Sequence, residues 1–294
     1  MIKGKKLIAA TVTIYDQNNQ INDLAMDTLF QKVIREGADG LFVGGSVGEC
    51  FLLTPKERIH TFELASRYMD QTEVYAHIGS ISTDQAIEMT KAACACGISS
   101  IASTPPFYFA FSAKEIAHYF YDLAEAAGRP VLYYDIPSST HRNIMTDDPE
   151  ICALLKSGAV RSIKYTNPLT DKINEINAIN PDIKIMGGLE TCMISMLEHN
   201  CDGFIGSMFN FMLPQYQKII ESYILSDKEH LDQYFANCTS ICDMLLKVGL
   251  PASIKYILTK QGIDAGGVRR PLLGLDAETK RQVDRILEKC MNSE

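Results

Sequence analysis

Eight short runs rich in β-branched, aromatic and small apolar residues, each followed by a stretch of helical period, set the strongest limit on how this chain can fold. The runs lie at residues 6–14, 40–45, 73–79, 99–104, 129–136, 160–166, 182–188 and 203–208. Helical segments stand between and after them at 26–36, 55–68, 83–96, 113–127, 149–156, 170–179 and 191–199. Strands separated by helices pair in parallel, because a parallel neighbour needs a crossover long enough to hold a helix. Eight such units predict an α/β fold of the (β/α)8 barrel type, closed so that no sheet edge is left open. The rival is an open doubly wound sheet, which asks for a glycine-rich phosphate loop after the first strand; Thr11-Val12-Thr13-Ile14-Tyr15-Asp16 offers none. Past residue 212 the pattern is helical only, with breaks at Gly249-Leu250-Pro251 and Gly266-Gly267. The expected organisation is a barrel over 1–212 carrying the active site, with a helical region over 213–294 packed on it.

Composition narrows the function. Of the 294 residues, 46% are hydrophobic, enough for one large core or two modest ones. Lys and Arg number 28 against 36 Asp and Glu, a net charge of −8, so no global basic field exists to hold nucleic acid or an anionic membrane. Small molecules or further copies of the chain are the expected partners. The nine cysteines are odd in number and lack CxxC and His spacing, which reads as reduced thiols, and the six histidines show no zinc-like spacing. A metal-dependent reaction is disfavoured and no cofactor is expected. The first residues mimic a signal peptide, yet Thr11 and Thr13 interrupt the apolar run and Asp16 closes it, so a cytoplasmic protein is expected. No stretch approaches the roughly 20 apolar residues of a membrane span.

In a barrel of this kind the chemistry belongs at the C-terminal ends of the strands. Lys164 ends the run Val160-Arg161-Ser162-Ile163-Lys164, a lone ammonium on an apolar strand. An amine that loses hydration there has a lowered pKa and is freed to attack a ketone as a Schiff base. The competing reading is a surface lysine on an edge strand. The loop Gly44-Gly45-Ser46-Val47-Gly48-Glu49 lets backbone amides converge on a small anion, although such turns more often serve geometry alone. Two phenols, Tyr108 and Tyr134, are aimed at the same mouth, and a hydroxyl such as Ser46 is suited to connect them as proton carriers. Tyr133 and Tyr165 read as packing residues and His77 as a hydrogen-bonded core residue. His141 is either a substrate contact or a surface loop residue.

Gly44-Gly45-Ser46-Val47-Gly48-Glu49, Thr104-Pro105-Pro106-Phe107-Tyr108, Tyr134-Asp135-Ile136-Pro137 and Ile163-Lys164 resemble, in order and spacing, the dihydrodipicolinate synthase and N-acetylneuraminate lyase family of pyruvate-dependent class I aldolases. The likeness runs over nearly the whole chain. It implies that Lys164 is the Schiff-base lysine and Tyr134 the general acid and base. It implies that Ser46 links Tyr134 to a Tyr108 reaching across from a neighbouring subunit, and that the Ser46 and Val47 amides hold the pyruvate carboxylate. The family also implies a homo-oligomer, a tetramer built as a dimer of dimers.

Departures from the family bear on the substrate. Synthases of the lysine precursor carry an arginine where this chain has Ser139, and Arg142 lies three positions on. Losing a fork-shaped carboxylate ligand is not a conservative change. Pro106 to Ser112 looks like the corresponding stretch of sialic acid lyases, and Thr166 and Ser207 match hydroxyls those lyases set against the sugar chain. Where they have an acidic pair after a glycine, this chain has Gly188-Leu189-Glu190-Thr191. Val47 replaces a threonine and Asp135 an asparagine. The resemblance is therefore closer to the N-acetylneuraminate lyase branch, with Ser139, Thr166, Gly188, Glu190, Thr191 and Ser207 as expected substrate contacts beside Ser46 and Val47. A dihydrodipicolinate synthase and a 2-keto-3-deoxy sugar acid aldolase are the alternatives within the family. A decarboxylase or hydratase using the same imine, and a barrel that binds a 2-oxo acid without catalysis, are the alternatives outside its aldolase chemistry.

Overall fold

The strands are buried on both faces, as a parallel sheet covered by helices requires, and their sequences are accordingly near-continuous apolar runs. In the computed structural model, which describes residues 4–291, they are β1 (Lys6–Ala10), β2 (Gly40–Val43), β3 (Glu73–His77), β4 (Ser100–Ser103), β5 (Val131–Asp135), β6 (Val160–Tyr165), β7 (Lys184–Gly187) and β8 (Gly203–Gly206). Every neighbouring pair is parallel and β8 returns to β1, so the sheet is a closed barrel in sequence order. The expected (β/α)8 fold is thus the observed one.

Helices α1 (Asp23–Arg35), α2 (Pro55–Ser66), α3 (Thr83–Ala95) and α4 (Ala113–Ala127) follow the first four strands. Their ends are written in the sequence. Thr54 and Ser112 open α2 and α4 with reciprocal capping boxes to Glu57 and Glu115, and each cap is worth about 1 kcal/mol. After β5 come the short α5 (Pro137–Thr140) and then α6 (Pro149–Ser157), followed by α7 (Lys172–Ile179) and α8 (Met193–Glu198) after the next two strands. The last strand leads into α9 (Phe209–Ile224), α10 (Lys228–Val248), α11 (Leu250–Lys260) and α12 (Ala277–Met291). The residue-212 boundary falls inside α9, where Met212 leaves helical angles two residues before Pro214.

The first strand was expected to reach residue 14 but stops at Ala10. Val12 and Ile14 stay fully buried after the chain has left the ladder, so burial alone extended the strand-like pattern. Closure is clasped by Asn210, itself fully buried. Its Nδ2 donates to Ala10 O at 2.7 Å and to Ser207 O at 2.6 Å, and its Oδ1 accepts from Val12 N at 3.2 Å. A buried amide satisfied on both ends ties the first strand to the turn after the last.

Candidate active site

Lys164 does not end its strand: Tyr165 follows it in β6 and forms the last register pair. Strand alternation turns Lys164 into the barrel, while Tyr165 goes outward and donates to Leu169 O at 2.6 Å. The lysine is 4% exposed, and the edge-strand surface reading falls. Its Nζ lies 4.2 Å from the ring centre of Tyr134 and 4.6 Å from that of Phe42. Among the described residues no carboxylate pairs with it directly. Burial pulls its pKa down to about 7, with Glu190 and Cys50 pulling weakly the other way. Much of the amine is therefore neutral near pH 7, the form that attacks a carbonyl.

Room for this side chain is made by Gly188. A Cβ built there would stand 2.5 Å from Thr166 Cγ2 and 2.9 Å from Lys164 Cε, closer than any side chain tolerates.

Tyr134 sits edge-on to Phe42 and His77, at 5.9 and 5.8 Å between ring centres. Burial raises its phenol well above the ordinary range, so it rests as a proton donor, with the Ser46 hydroxyl opposing the shift. His77 is fully buried: its Nδ1 is 2.8 Å from Gly44 O and its Nε2 accepts from Thr104 N at 3.3 Å. Its desolvation, next to the Arg58 cation, keeps it neutral, which is the core role the sequence suggested.

A cavity of about 200 Å³ opens over Lys164 at the C-terminal end of the barrel. Ser46, Val47, Tyr134, Lys164, Thr166, Gly188, Glu190 and Ser207 all line it. The amides of Ser46 and Val47 donate to no protein group among the described residues. Glu190 is buried yet committed: its Oε1 accepts from Ser207 Oγ at 2.8 Å, from Ser207 N, and from Met208 N at 3.0 Å. Its Oε2 has no protein donor among the described residues.

Three expected residues stand elsewhere. Ser139 borders an adjoining, more apolar cavity with Phe51, Phe107 and Leu272 that shares Ser46 and Ile136 with this one, and Ser138 lines the Lys164 cavity instead, because α5 rotates successive residues by about 100°. Thr191 does not line the cavity. Tyr108 is 73% exposed, edge-on to Phe109 at 5.0 Å, and does not reach the cavity within one chain. Arg142 donates to Phe111 O, outside the cavity. His141 is exposed at the left-handed end of α5 and also lies outside it.

The roof went unread in the sequence: Cys242 and Leu246 of α10 and Leu250 of α11 close the cavity over the barrel mouth. Their helical period signalled a buried face but not what it covers.

A closed eight-stranded barrel with a desolvated lysine inside its mouth and a phenol facing it has the architecture of a class I aldolase. The Dihydrodipicolinate synthetase family model matches residues 3–290, and the chain belongs to that family of lyases and aldolases. Among solved structures, a dihydrodipicolinate synthase from Bacillus anthracis superposes with a TM-score of 0.92 at 23% identity, covering 98% of this chain and 99% of that one. CdNal from Clostridium difficile, solved in complex with mannosamine, gives 0.91 at 26% identity over 99% of each chain. N-acetylneuraminate lyase from Mycoplasma synoviae gives 0.89 at 25% identity, again over 99% of each.

Proposed function

We propose that the chain is a Schiff-base aldolase that reversibly cleaves a hydroxylated, sugar-derived 2-oxo acid, of the N-acetylneuraminate kind, to pyruvate and an aldehyde. The observation that carries this reading is the charge inventory of the cavity. Among the described residues Lys164 is the one cationic side chain lining it and Glu190 the one anionic, and apart from the Cys242 thiol the remaining polar side chains are hydroxyls. A second substrate carboxylate, as in aspartate semialdehyde, finds no cation there, since Arg142 is bonded away at Phe111. Hydroxyl groups find acceptors and donors in Glu190 Oε2, Thr166, Ser207 and Ser138.

In the cleavage direction, the neutral Lys164 amine adds to C2 of the 2-oxo acid and loses water as a protonated imine. The free Ser46 and Val47 amides hold its carboxylate. The iminium charge forms over the Tyr134 ring and within reach of Glu190. Tyr134, having given its own proton to the water lost as the imine forms, takes the proton of the C4 hydroxyl, the C3–C4 bond breaks, and the aldehyde leaves. The bond's electron pair passes into the enamine, which is then protonated at C3 and hydrolysed to pyruvate and free Lys164. Tyr134 returns its proton through Ser46 and, in an oligomer, through Tyr108 of an adjoining copy. A cytoplasmic homotetramer, a dimer of dimers, is the assembly proposed, with pyruvate and no further cofactor.

The test is borohydride reduction with pyruvate, followed by peptide mass spectrometry. A reduced adduct on Lys164, absent from Lys164→Ala, supports the class. Pyruvate release from sialic acid and 2-keto-3-deoxy sugar acids, and pyruvate consumption with aspartate semialdehyde, then rank the substrates. Pyruvate turnover fastest with aspartate semialdehyde would sink the lyase assignment.

A further inference from the structure

The loop that carries Ser46 and Val47 is held from the far end of the chain. Glu49 closes it: its amide donates to Ser46 O at 3.0 Å, and Cys50 N donates to Gly45 O at 3.2 Å. The peptide unit between Ser46 and Val47 is planar and trans, so pinning the Ser46 carbonyl on Glu49 turns the Val47 N–H the opposite way. The direction of that amide is thus set by the backbone of Glu49.

Glu49 occupies the left-handed region at φ 61° with its side chain fully buried, a conformation that persists only when its surroundings impose it. What imposes it is the C-terminal region. Lys255 Nζ of α11 donates to Glu49 Oε1 at 2.5 Å and to Gly267 O at 2.7 Å, and Arg269 N donates to Glu49 Oε2 at 2.8 Å. The Arg269 guanidinium binds Glu57 through both terminal nitrogens and also reaches Leu52 O and Asn19 O. Lys255 and Arg269 both lie over the Tyr15 ring, at 4.2 and 4.4 Å from its centre. Gly266 lets the tail come this close: a Cβ there would be 2.2 Å from Tyr15 O.

A buried ion pair is weak as a source of stability, since apolar residues of the same volume often serve as well or better. It is strong as a device for fixing direction. We propose that Lys255, through Glu49, is a positioning residue for the 2-oxo-acid carboxylate, so that α11 and the tail are part of the pyruvate site without touching pyruvate. This rests on the reading of the Ser46 and Val47 amides given above.

The experiment is the pyruvate concentration that half-saturates borohydride trapping on Lys164, measured for wild type, Lys255→Met, and the double variant Glu49→Gln with Lys255→Met. The double variant strands no buried charge and guards against a single variant that fails to fold. Both variants, folded by circular dichroism, are expected to raise the half-saturating concentration about tenfold, the worth of one well-placed charged hydrogen bond. Trapping at saturating pyruvate is expected to stay within about twofold of wild type, because Lys164 itself is untouched. A merely structural pair would lower the melting temperature and leave half-saturation unchanged. Half-saturation within about twofold of wild type in the folded double variant would overturn the proposal. No adduct in the wild type would remove the pyruvate reading, and the positioning role with it.

Discussion

Tyr134 and Lys164 are register partners on adjacent parallel strands, and the lysine nitrogen hangs 4.2 Å from the centre of the tyrosine ring. Burial acts on the two in opposite directions on the pH scale, lowering the ammonium and raising the phenol, so both favour their uncharged forms. The barrel can enclose an amine and a phenol side by side because burial favours the uncharged form of each.

For Lys164, the folded pKa of about 7 lies below the ordinary value. The acid limb of kcat/KM is expected to bend near pH 7, rising as the amine loses its proton. Stability carries the same sign. The unfolded chain binds more protons between about pH 7 and 10.5, so this group's penalty is full below 7 and fades as pH rises. Lys164→Met should therefore abolish turnover while raising the melting temperature more at pH 6 than at pH 10, and equal gains at both would contradict the buried-amine account.

Tyr134→Phe keeps the ring under the iminium and removes the proton. The pyruvate adduct should still form, with kcat down about 10²- to 10³-fold. Steady-state turnover within about twofold of wild type would take Tyr134 out of the mechanism.

Asp135 is buried, with Oδ1 accepting from Ile144 N at 3.0 Å and Oδ2 without a hydrogen-bond partner among the described residues. Desolvation pushes its carboxyl up to about 7, with Lys172 and the Ile144 amide opposing. The folded state binds the extra proton between about pH 3.8 and 7, so stability falls as pH rises through that window. Asp135→Asn should stabilise the protein at pH 8 by about 2 kcal/mol and leave it nearly unchanged at pH 4. Denaturant melts at the two pH values provide the comparison.

Ser138, facing the cavity, is the place to restore a carboxylate ligand. Ser138→Arg should improve kcat/KM for aspartate semialdehyde by about tenfold or more, while Ser139→Arg, directed to the neighbouring cavity, should not. The reverse ranking would mean α5 turns on binding.

Tyr108 acts in the proposed reaction only from another copy. Lys164→Ala and Tyr108→Phe proteins, each impaired alone, should regain activity when unfolded together and refolded as mixed oligomers. A mixture no more active than its parts would place Tyr108 outside the relay.

The barrel was legible because its strands are near-continuous apolar runs buried by the helices between them; reciprocal capping boxes, Thr54 with Glu57 and Ser112 with Glu115, mark the starts of α2 and α4. Lys164 was legible because an ammonium inside an apolar run has few structural uses. Ser138 was missed in favour of Ser139, since a short helix turns by about 100° per residue and sequence alone does not fix its phase. The roof residues Cys242, Leu246 and Leu250 and the Lys255–Glu49 pair were out of reach for another reason. They depend on tertiary docking of helices whose periodicity says that a face is buried, but not against what.

Asn210 clasps Ala10, a residue 200 positions earlier in the chain. While the ribosome is still adding β8, the growing polypeptide exposes two sheet edges, on β1 and β7, that have only each other's vicinity or a stranger's strand to pair with. The catalytic mouth therefore has no half-built version. Such high contact order predicts slow folding and a period of exposure to aggregation that lasts until nearly the whole message has been read.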